Sequence, residues 1–372
     1  MTMEAFDIHP DIRLAETLPS RFYTSDAVFA ALTERVFARS WQWLGMEVDL
    51  MPENGRVVPL SLLPGTLDEP LLLVRDADGT ARCLSNVCTH RGNLLVDAPG
   101  KPRQLVCGYH GRRFTLDGRF ASMPEFEQVE GFPRPCDDLH RFPWQTWLGH
   151  AFTGVNPAYP LQGVLDAMVE RVGFLPIADF RHDPSRDRTF EVAAHWALYC
   201  DNYLEGFHIP FVHQDLNAAV DYDQYQTILF EHCNLQVAEA KEGVEAFALP
   251  EGHVDHGRDI AAYYFWVFPN MMFNFYPWGL SVNVVEPLAK DRTRVLFRSY
   301  VLDPAKLGVG AGGDLDKVEL EDEAIVESVQ RGIRSHGYTT GRYSPTREQG
   351  VHHFHRLLAA ALLGDLRGMQ PE

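Results

Sequence analysis

CTHRGNLLVDAPGKPRQLVCGYH, residues 88–110, carries Cys88 and His90 at one end and Cys107 and His110 at the other. Each end supplies one thiol and one imidazole. That paired, alternating set suits a two-iron cluster bound through sulfur at one iron and through nitrogen at the other. The alternative is a Cys2His2 zinc site, because zinc accepts the same ligand types. A structural zinc usually takes two cysteines from one knuckle and two histidines from the other. Here both knuckles are mixed, which favours the cluster and with it electron transfer. Thr89, Arg91, Gly92, Gly108, Tyr109 and Gly111 give tight loops whose backbone donors can face bridging sulfides and tune a cluster's potential.

A cluster domain needs only part of 372 residues, and 45% hydrophobic content suffices for a second core. The net charge of −18, without a basic stripe, argues against nucleic acid and an anionic membrane surface as partners. No apolar run reaches spanning length and the amino terminus lacks a signal-type core, so the expectation is a soluble, cytoplasmic protein. In such a reducing compartment Cys83, Cys136, Cys200 and Cys233, which lack a disulfide-framework spacing, are expected to be buried thiols.

Working outward, Val28, Leu32, Val36 and Phe37 give a helical pattern over Phe22 to Arg39, with Ser25-Asp26 as its cap. From about Trp41 the pattern changes to short strands: Leu71 to Arg75, Ala81 to Ser85, Gln104 to Cys107 and Arg112 to Thr115. Turn residues at Val155-Asn156-Pro157 suggest a boundary. The expected domains are thus an N-terminal helical segment (1–40), a β domain (41–156) and a second domain (157–372). In the last, helices are expected over Leu161 to Val172, Leu315 to Ser335 and Gln349 to Leu363, with a strand over Thr189 to Ala194 and further long strands.

The second constellation is Asn202, Glu205, His208 and His213. The first three are spaced to share one slowly turning helix face. An unbroken helix would carry His213 about 140° around from His208. Pro210 cannot continue that helix, and the bend lets both imidazoles point at one ion. Two histidines call for a carboxylate to complete the 2-His-1-carboxylate set of non-heme iron oxygenases. Leu315, Val318, Ile325, Val326, Val329 and Ile333 form an apolar stripe with Asp322 in its middle, while Glu321 and Glu323 fall off it. A buried carboxylate needs a cation, so Asp322 is the candidate third ligand; on a rotated or frayed helix it would merely be solvated.

These motifs, in this order and over nearly the whole chain, resemble the catalytic α subunit of the Rieske non-heme iron oxygenases. The resemblance implies an α+β chain: an all-β Rieske [2Fe-2S] domain, then a helix-grip (SRPBCC-like) catalytic domain with an antiparallel sheet, on which segment 1–40 packs. It implies Cys88, His90, Cys107 and His110 as cluster ligands, and His208, His213 and Asp322 as ligands of mononuclear Fe(II). Glu205 would link one subunit's cluster histidine, His110, to the neighbouring subunit's iron ligand, with Asn202 beside the iron. O2 and a small-molecule substrate, a homotrimer, and electrons from a separate NAD(P)H-dependent reductase, sometimes through a ferredoxin, are also implied. A Rieske ferredoxin would explain residues 88–110 but not His208, His213 and Asp322, and a zinc scaffold would explain neither set together.

Two departures stand out. Most ring hydroxylases have Asp where this chain has Glu205, and Glu there is similar to the subgroup oxidising choline, glycine betaine, carnitine and stachydrine. That favours monooxygenation of a quaternary ammonium compound by N-demethylation or C-hydroxylation, with hydroxylation of an aromatic acid or other aromatic compound as the alternative. The family often has Gly-Trp after the second cluster histidine, and Gly111-Arg112 could alter the surface where an electron donor docks. Between Tyr263 and Trp278 nine of sixteen residues are aromatic, suited to a cation or a flat ring, with two or three expected at the cavity and the rest in the core. Arg294, Arg298, Arg334, Arg342 and Arg347 are expected in salt bridges or at the surface, though one could clamp a substrate carboxylate. His352, His353 and His355 are expected in surface or interface packing without metal.

Overall fold

The computed structural model describes residues 6–366. It divides into two compact units, residues 38–157, and residues 1–37 with 158–372. Residues 1–5 of the expected N-terminal segment and 367–372 of the expected second domain lie outside the described residues.

Unit 38–157 is built of short strands: β1 (Gln42–Met46), β2 (Val57–Leu62), β3 (Glu69–Arg75), β4 (Ala81–Ser85), β5 (Leu105–Val106), β6 (Arg113–Phe114), β7 (Phe120–Ser122), β8 (Arg141–Phe142), β9 (Trp144–Trp147) and β10 (His150–Thr153). They pair as β1-β10-β9, β2-β3-β4-β8 and β5-β6-β7. β5 and β6 are shorter than their apolar pattern suggests, because Cys107 and Arg112 belong to the turn between them. One core joins Val57, Leu72, Val74, Leu84, Leu105, Phe114 and Leu139 with Cys88 and Cys107. Packing therefore sets both sulfurs. Cys83 is buried as expected, whereas Cys136 is exposed, because in its 3-10 turn Asp137 takes the inward position.

The other unit is centred on an antiparallel eight-stranded sheet. Its strands are β11 (Arg181–His182), β12 (Arg188–Val192), β13 (Gln226–Leu229), β14 (Cys233–Glu239), β15 (Ile260–Val267), β16 (Met271–Tyr276), β17 (Gly279–Ala289) and β18 (Arg292–Val301). The order is β11-β18-β17-β16-β15-β14-β13, with β12 also on β18. Strands β14 to β17 are buried almost throughout, which is why they read as aromatic and β-branched runs. Helices α1 (Asp26–Arg35), α2 (Gln162–Val172), α3 (Trp196–Tyr203), α4 (Ile209–Val212), α5 (Gln214–Ala219), α6 (Leu315–Gly332) and α7 (Gln349–Leu363) complete the unit. α3 packs on both β17 and α6. The first helix is shorter than Phe22 to Arg39 because Ser25 is extended and its hydroxyl caps Val28 N–H, separating α1 from a short helix at Ser20–Thr24. Among the described residues no helix is long and apolar enough to cross a membrane.

The histidines of α7 are buried within this unit rather than at a surface. His355 meets the Tyr343 hydroxyl at 2.6 Å and Asp201 at 2.8 Å, and His352 reaches the His9 carbonyl at 2.9 Å. Their helix carries an apolar face deep into the fold, where His352 and His355 find these local partners. Burial holds His195 and His353 neutral, with pKa values lowered to about 3 from 6.5. His195 also uses unprotonated Nδ1 to accept Ala197 N–H at the start of α3.

A histidine depressed in the folded state opposes protonation there, so the unfolded chain gains protons first as pH falls below 6.5. Stability should then drop by about 1.4 kcal/mol per pH unit for each of the two, roughly 2.7 together, until pH nears 3. Chemical denaturation of this unit at pH 7 and pH 5.5 should show that loss, and a flat profile would refute the neutral assignment.

Candidate active site

Two loops of matching form present the front ligand set. The Gly92 N–H closes on the Cys88 carbonyl and the Gly111 N–H on the Cys107 carbonyl, both at 3.0 Å. Both glycines have positive φ, 72° and 73°, which only glycine adopts without strain. The Cys88 and Cys107 side chains are buried, while His110 is exposed and its Nδ1 lies 3.2 Å from that of His90. Burial disfavours a thiolate at Cys107, but hydrogen bonds from the Tyr109 N–H, the Cys88 thiol, the His110 N–H and the Asn93 side chain together outweigh it and lower the pKa. Sulfurs inside and imidazoles outside fit a cluster with one sulfur-bound and one nitrogen-bound iron.

Arg112 does not form surface, as its place after His110 had suggested; its side chain is 2% exposed. It donates to Asp137 Oδ1 at 2.8 Å, and its guanidinium lies 5.0–5.6 Å from the ring centres of Phe114, Phe120 and Phe132. An arginine can replace a large aromatic here because three rings and a carboxylate enclose it.

In the other unit α3 ends at Tyr203, so Asn202, Glu205 and His208 do not share one helix as their spacing suggested. The chain breaks around Gly206, where a Cβ would stand 2.7 Å from the Tyr225 ring. Pro210 is not the break. It sits in the first turn of α4, where its missing N–H has no helical partner to lose. Glu205 Oε2 accepts the N–H groups of Phe207 and His208, which opens α4. Asn202 is partly buried and does not line the cavity.

His208, His213 and Asp322 converge. The two Nε2 atoms are 3.1 Å apart, and Asp322 Oδ1 lies 3.0 Å from His213 Nε2 and 3.5 Å from His208 Nε2. On the far side of each ring a carboxylate takes Nδ1: Glu205 Oε1 at 2.7 Å from His208 and Glu321 Oε2 at 2.7 Å from His213. Both imidazoles are thereby held with Nε2 turned to one point. Two nitrogens and one carboxylate oxygen are the donor set of a non-heme iron site with open positions.

The stripe that singled out Asp322 is rotated from its expected line. Ile325 and Val329 are exposed, while Glu319, Val326, Gln330 and Ile333 face inward. Glu321, read as lying off the stripe, is the partner of His213. Its signal was its place beside Asp322, but reading by hydrophobicity discards a second acid.

A cavity between sheet and helices opens at this point, lined by Tyr199 and Tyr203 of α3, Val318, Glu319 and Asp322 of α6, and residues of strands β14 to β18. Gln236, Tyr264, Asn274 and Ser281 stand opposite one another on β14 to β17 and form a lateral row across its floor. Of the nine aromatics between Tyr263 and Trp278, Tyr264 and Tyr276 reach the cavity. The sequence reading missed Asn274, Ser281 and Asn283. Their signal is polar residues at alternate positions in otherwise apolar strands. Among the described residues no arginine or lysine lines the cavity. Arg294 pairs with Glu286, Arg334 with Asp291 and Arg298 with Asp187, while Arg342 donates to the Ala15 carbonyl and Arg347 lies over the Tyr222 ring.

One unit thus offers a cysteine–histidine cluster cradle and the other a two-histidine, one-carboxylate iron site, the pairing of an iron-dependent oxidoreductase. Comparison with known proteins makes the class specific. Residues 41–133 match the family described as the Rieske [2Fe-2S] domain, and residues 179–364 match that described as the ring hydroxylating alpha subunit (catalytic domain). The chain belongs to the Rieske oxygenase α subunits, oxidoreductases whose cofactors are a Rieske [2Fe-2S] cluster and mononuclear iron. It is 30% identical to the chloroplastic choline monooxygenase of Arabidopsis thaliana, over 95% of this chain and 84% of that protein. It is 31% identical to the carnitine monooxygenase oxygenase subunit of Escherichia coli (strain K12), over 93% of both. Among solved structures, the quaternary ammonium Rieske monooxygenase CntA in complex with L-carnitine superposes with a TM-score of 0.74 at 25% identity, over 96% of this chain and 99% of that one. Naphthalene 1,2-dioxygenase, at 18% identity over 95% of both chains and a TM-score of 0.69, shares the fold.

Proposed function

We propose that the chain is the terminal component of an oxygenase system that takes electrons from a separate NAD(P)H-dependent reductase, directly or through a ferredoxin, and monooxygenates a quaternary ammonium compound. Cys88, His90, Cys107 and His110 would hold the cluster, and His208, His213 and Asp322 the iron. Iron there supplies oxygen activation, and the cluster supplies single electrons. Glu205 and Glu321 accept the Nδ1 protons of the two imidazoles and so keep each Nε2 available. Glu205 spends its other oxygen on α4, which fixes the bend that brings His208 and His213 together. The proposed assembly is a homotrimer in which one subunit's cluster serves its neighbour's iron.

The observation that carries the substrate class is the lining of the cavity. Tyr199, Tyr203, Tyr264 and Tyr276 line it, and among the described residues no arginine or lysine does. Their ring faces attract a permanent cation, and the cavity offers no cationic partner for the carboxylate of an aromatic acid. The relatives act on choline and carnitine, which are ammonium compounds of this kind.

Insertion of one oxygen atom consumes O2, two electrons and two protons, with the second atom leaving as water. An N-methyl carbon hydroxylated in this way collapses to formaldehyde, a tertiary amine and a proton. Hydroxylation at an alcohol carbon gives a hydrate that loses water to an aldehyde.

The test is oxygen uptake and formaldehyde or aldehyde release with a surrogate reductase, over choline, betaines, carnitine and simple aromatic acids. Coupled uptake with an ammonium compound is expected. Uptake confined to aromatic acids would refute the reading.

A further inference from the structure

Arg112, which follows His110 and Gly111, is a permanently charged group in the interior of unit 38–157, and its side chain is 2% exposed. It is fastened to both ligand loops. Its carbonyl accepts the Cys107 N–H at 2.8 Å, which holds it to the second loop. One guanidinium nitrogen, Nη2, and the Thr89 hydroxyl both donate to the Asp137 carbonyl, at 3.2 and 2.7 Å, and Thr89 stands between Cys88 and His90 in the first loop. The guanidinium lies 5.6 Å from the centre of the Phe114 ring, and Phe114 shares one core with Cys88 and Cys107. The charge therefore acts in the same apolar interior as the two sulfurs, where solvent screens it weakly.

Asp137 supplies the opposing charge. Its Oδ1 accepts Arg112 Nη2 at 2.8 Å and its Oδ2 accepts the Arg134 N–H at 2.7 Å. Burial raises the Asp137 pKa, but these contacts outweigh it and hold the value below the usual one, so the pair is ionic. The compensation of Arg112 is incomplete. Its Nε is buried and has no hydrogen-bond partner among the described residues. The Arg134 guanidinium is 69% exposed and 3.9 Å from Asp137, so solvent screens that charge. Replacing both members of a buried ion pair by apolar groups is often neutral or stabilising. Stability alone is thus a poor reason for two charges at this corner, and they stand against the loops that carry the four ligands.

Resting on the assignment of Cys88, His90, Cys107 and His110 as cluster ligands, we infer that the buried Arg112–Asp137 pair sets the cluster's reduction potential, the guanidinium raising it and the carboxylate lowering it. Accepting one electron makes a cluster one unit more negative. A cation fixed nearby in a low dielectric stabilises that added charge, and an anion opposes it. The pair thereby places the cluster between its two exchange partners. A higher potential favours uptake from the reductase, and a lower one favours delivery to the iron.

Potentiometric titration of the holoenzyme, read by the paramagnetic signal of the reduced cluster, tests this in three variants. Arg112→Met, which keeps length without charge, should lower the potential by at least the equivalent of a tenfold shift in the reduction equilibrium, about 59 mV for one electron. Arg112→Lys, which keeps the charge, should stay within that interval of the native value. Asp137→Asn, which keeps shape and an acceptor for the Arg134 N–H, should raise the potential. Opposite signs for the two charge removals mark an electrostatic effect, because loosened packing at one corner would move the potential the same way in both. Shifts of one sign in Arg112→Met and Asp137→Asn, an unchanged potential in either, or a shift in Arg112→Lys equal to that in Arg112→Met would overturn the inference. Should Arg112→Met fail to hold its cluster, Asp137→Asn decides alone, since a fall or no change there contradicts the assignment. Wrong-signed shifts with the cluster signal intact overturn only this inference, whereas absence of that signal from the native protein would remove the ligand assignment itself.

Discussion

Replacing His213 by alanine should abolish turnover and remove one iron per chain, while the paramagnetic signal of the dithionite-reduced cluster stays unchanged. His213 is the most enclosed of the three converging groups, at 1% side-chain exposure, and its Nε2 is within 3.1 Å of both other donors. Loss of a group that merely orients a metal ligand already costs about 10- to 100-fold, so loss of a ligand should exceed that. Cys88, His90, Cys107 and His110 belong to the other compact unit, so an unchanged cluster signal separates loss of the iron site from loss of the cluster. Oxygen uptake, iron content and the resonance spectrum are the measurements. Turnover within tenfold of the native protein would show that His213 holds no iron.

Arg112→Leu should destabilise unit 38–157 by about 3–5 kcal/mol, the cost of stripping one partner from a buried ion pair. Asp137 keeps the Arg134 N–H at 2.7 Å but loses the 2.8 Å guanidinium that offsets its charge. The effect should reach the cluster, because the Asp137 carbonyl also accepts the Thr89 hydroxyl at 2.7 Å, tying the first ligand loop to the same residue. Denaturant titration followed by the cluster's visible absorption should show a lower midpoint. A change under about 1 kcal/mol would mean that the three surrounding rings, not the charge pair, hold this corner.

What could be read beforehand was set by chemistry that leaves a mark on spacing. Cys88, His90, Cys107 and His110 stand in two short motifs, and Asp322 betrays itself as an acid among apolar neighbours. The strands β3 and β4 and helix α7 follow from periodic burial. Less legible was anything fixed by partners distant in sequence. Glu321 is found only when α6 is laid against His213, 108 positions away, and Glu319 only when it meets Tyr199, 120 positions away. Arg112 reads as a surface cation until Phe114, Phe120, Phe132 and Asp137 close around it. The helix break was misplaced at Pro210 because a proline rule is local, whereas the constraint at Gly206 comes from the Tyr225 ring.

The lateral row Gln236, Tyr264, Asn274 and Ser281 lies on strands, while the converging donors lie on helices and the turn between them. The strand floor of the chamber and the donors that would hold the metal are therefore carried by separate parts of the polypeptide. Exchanging side chains along that row would refit the chamber to a differently shaped guest without disturbing the oxidising centre, so one scaffold can diversify its diet by drift in a few strand positions.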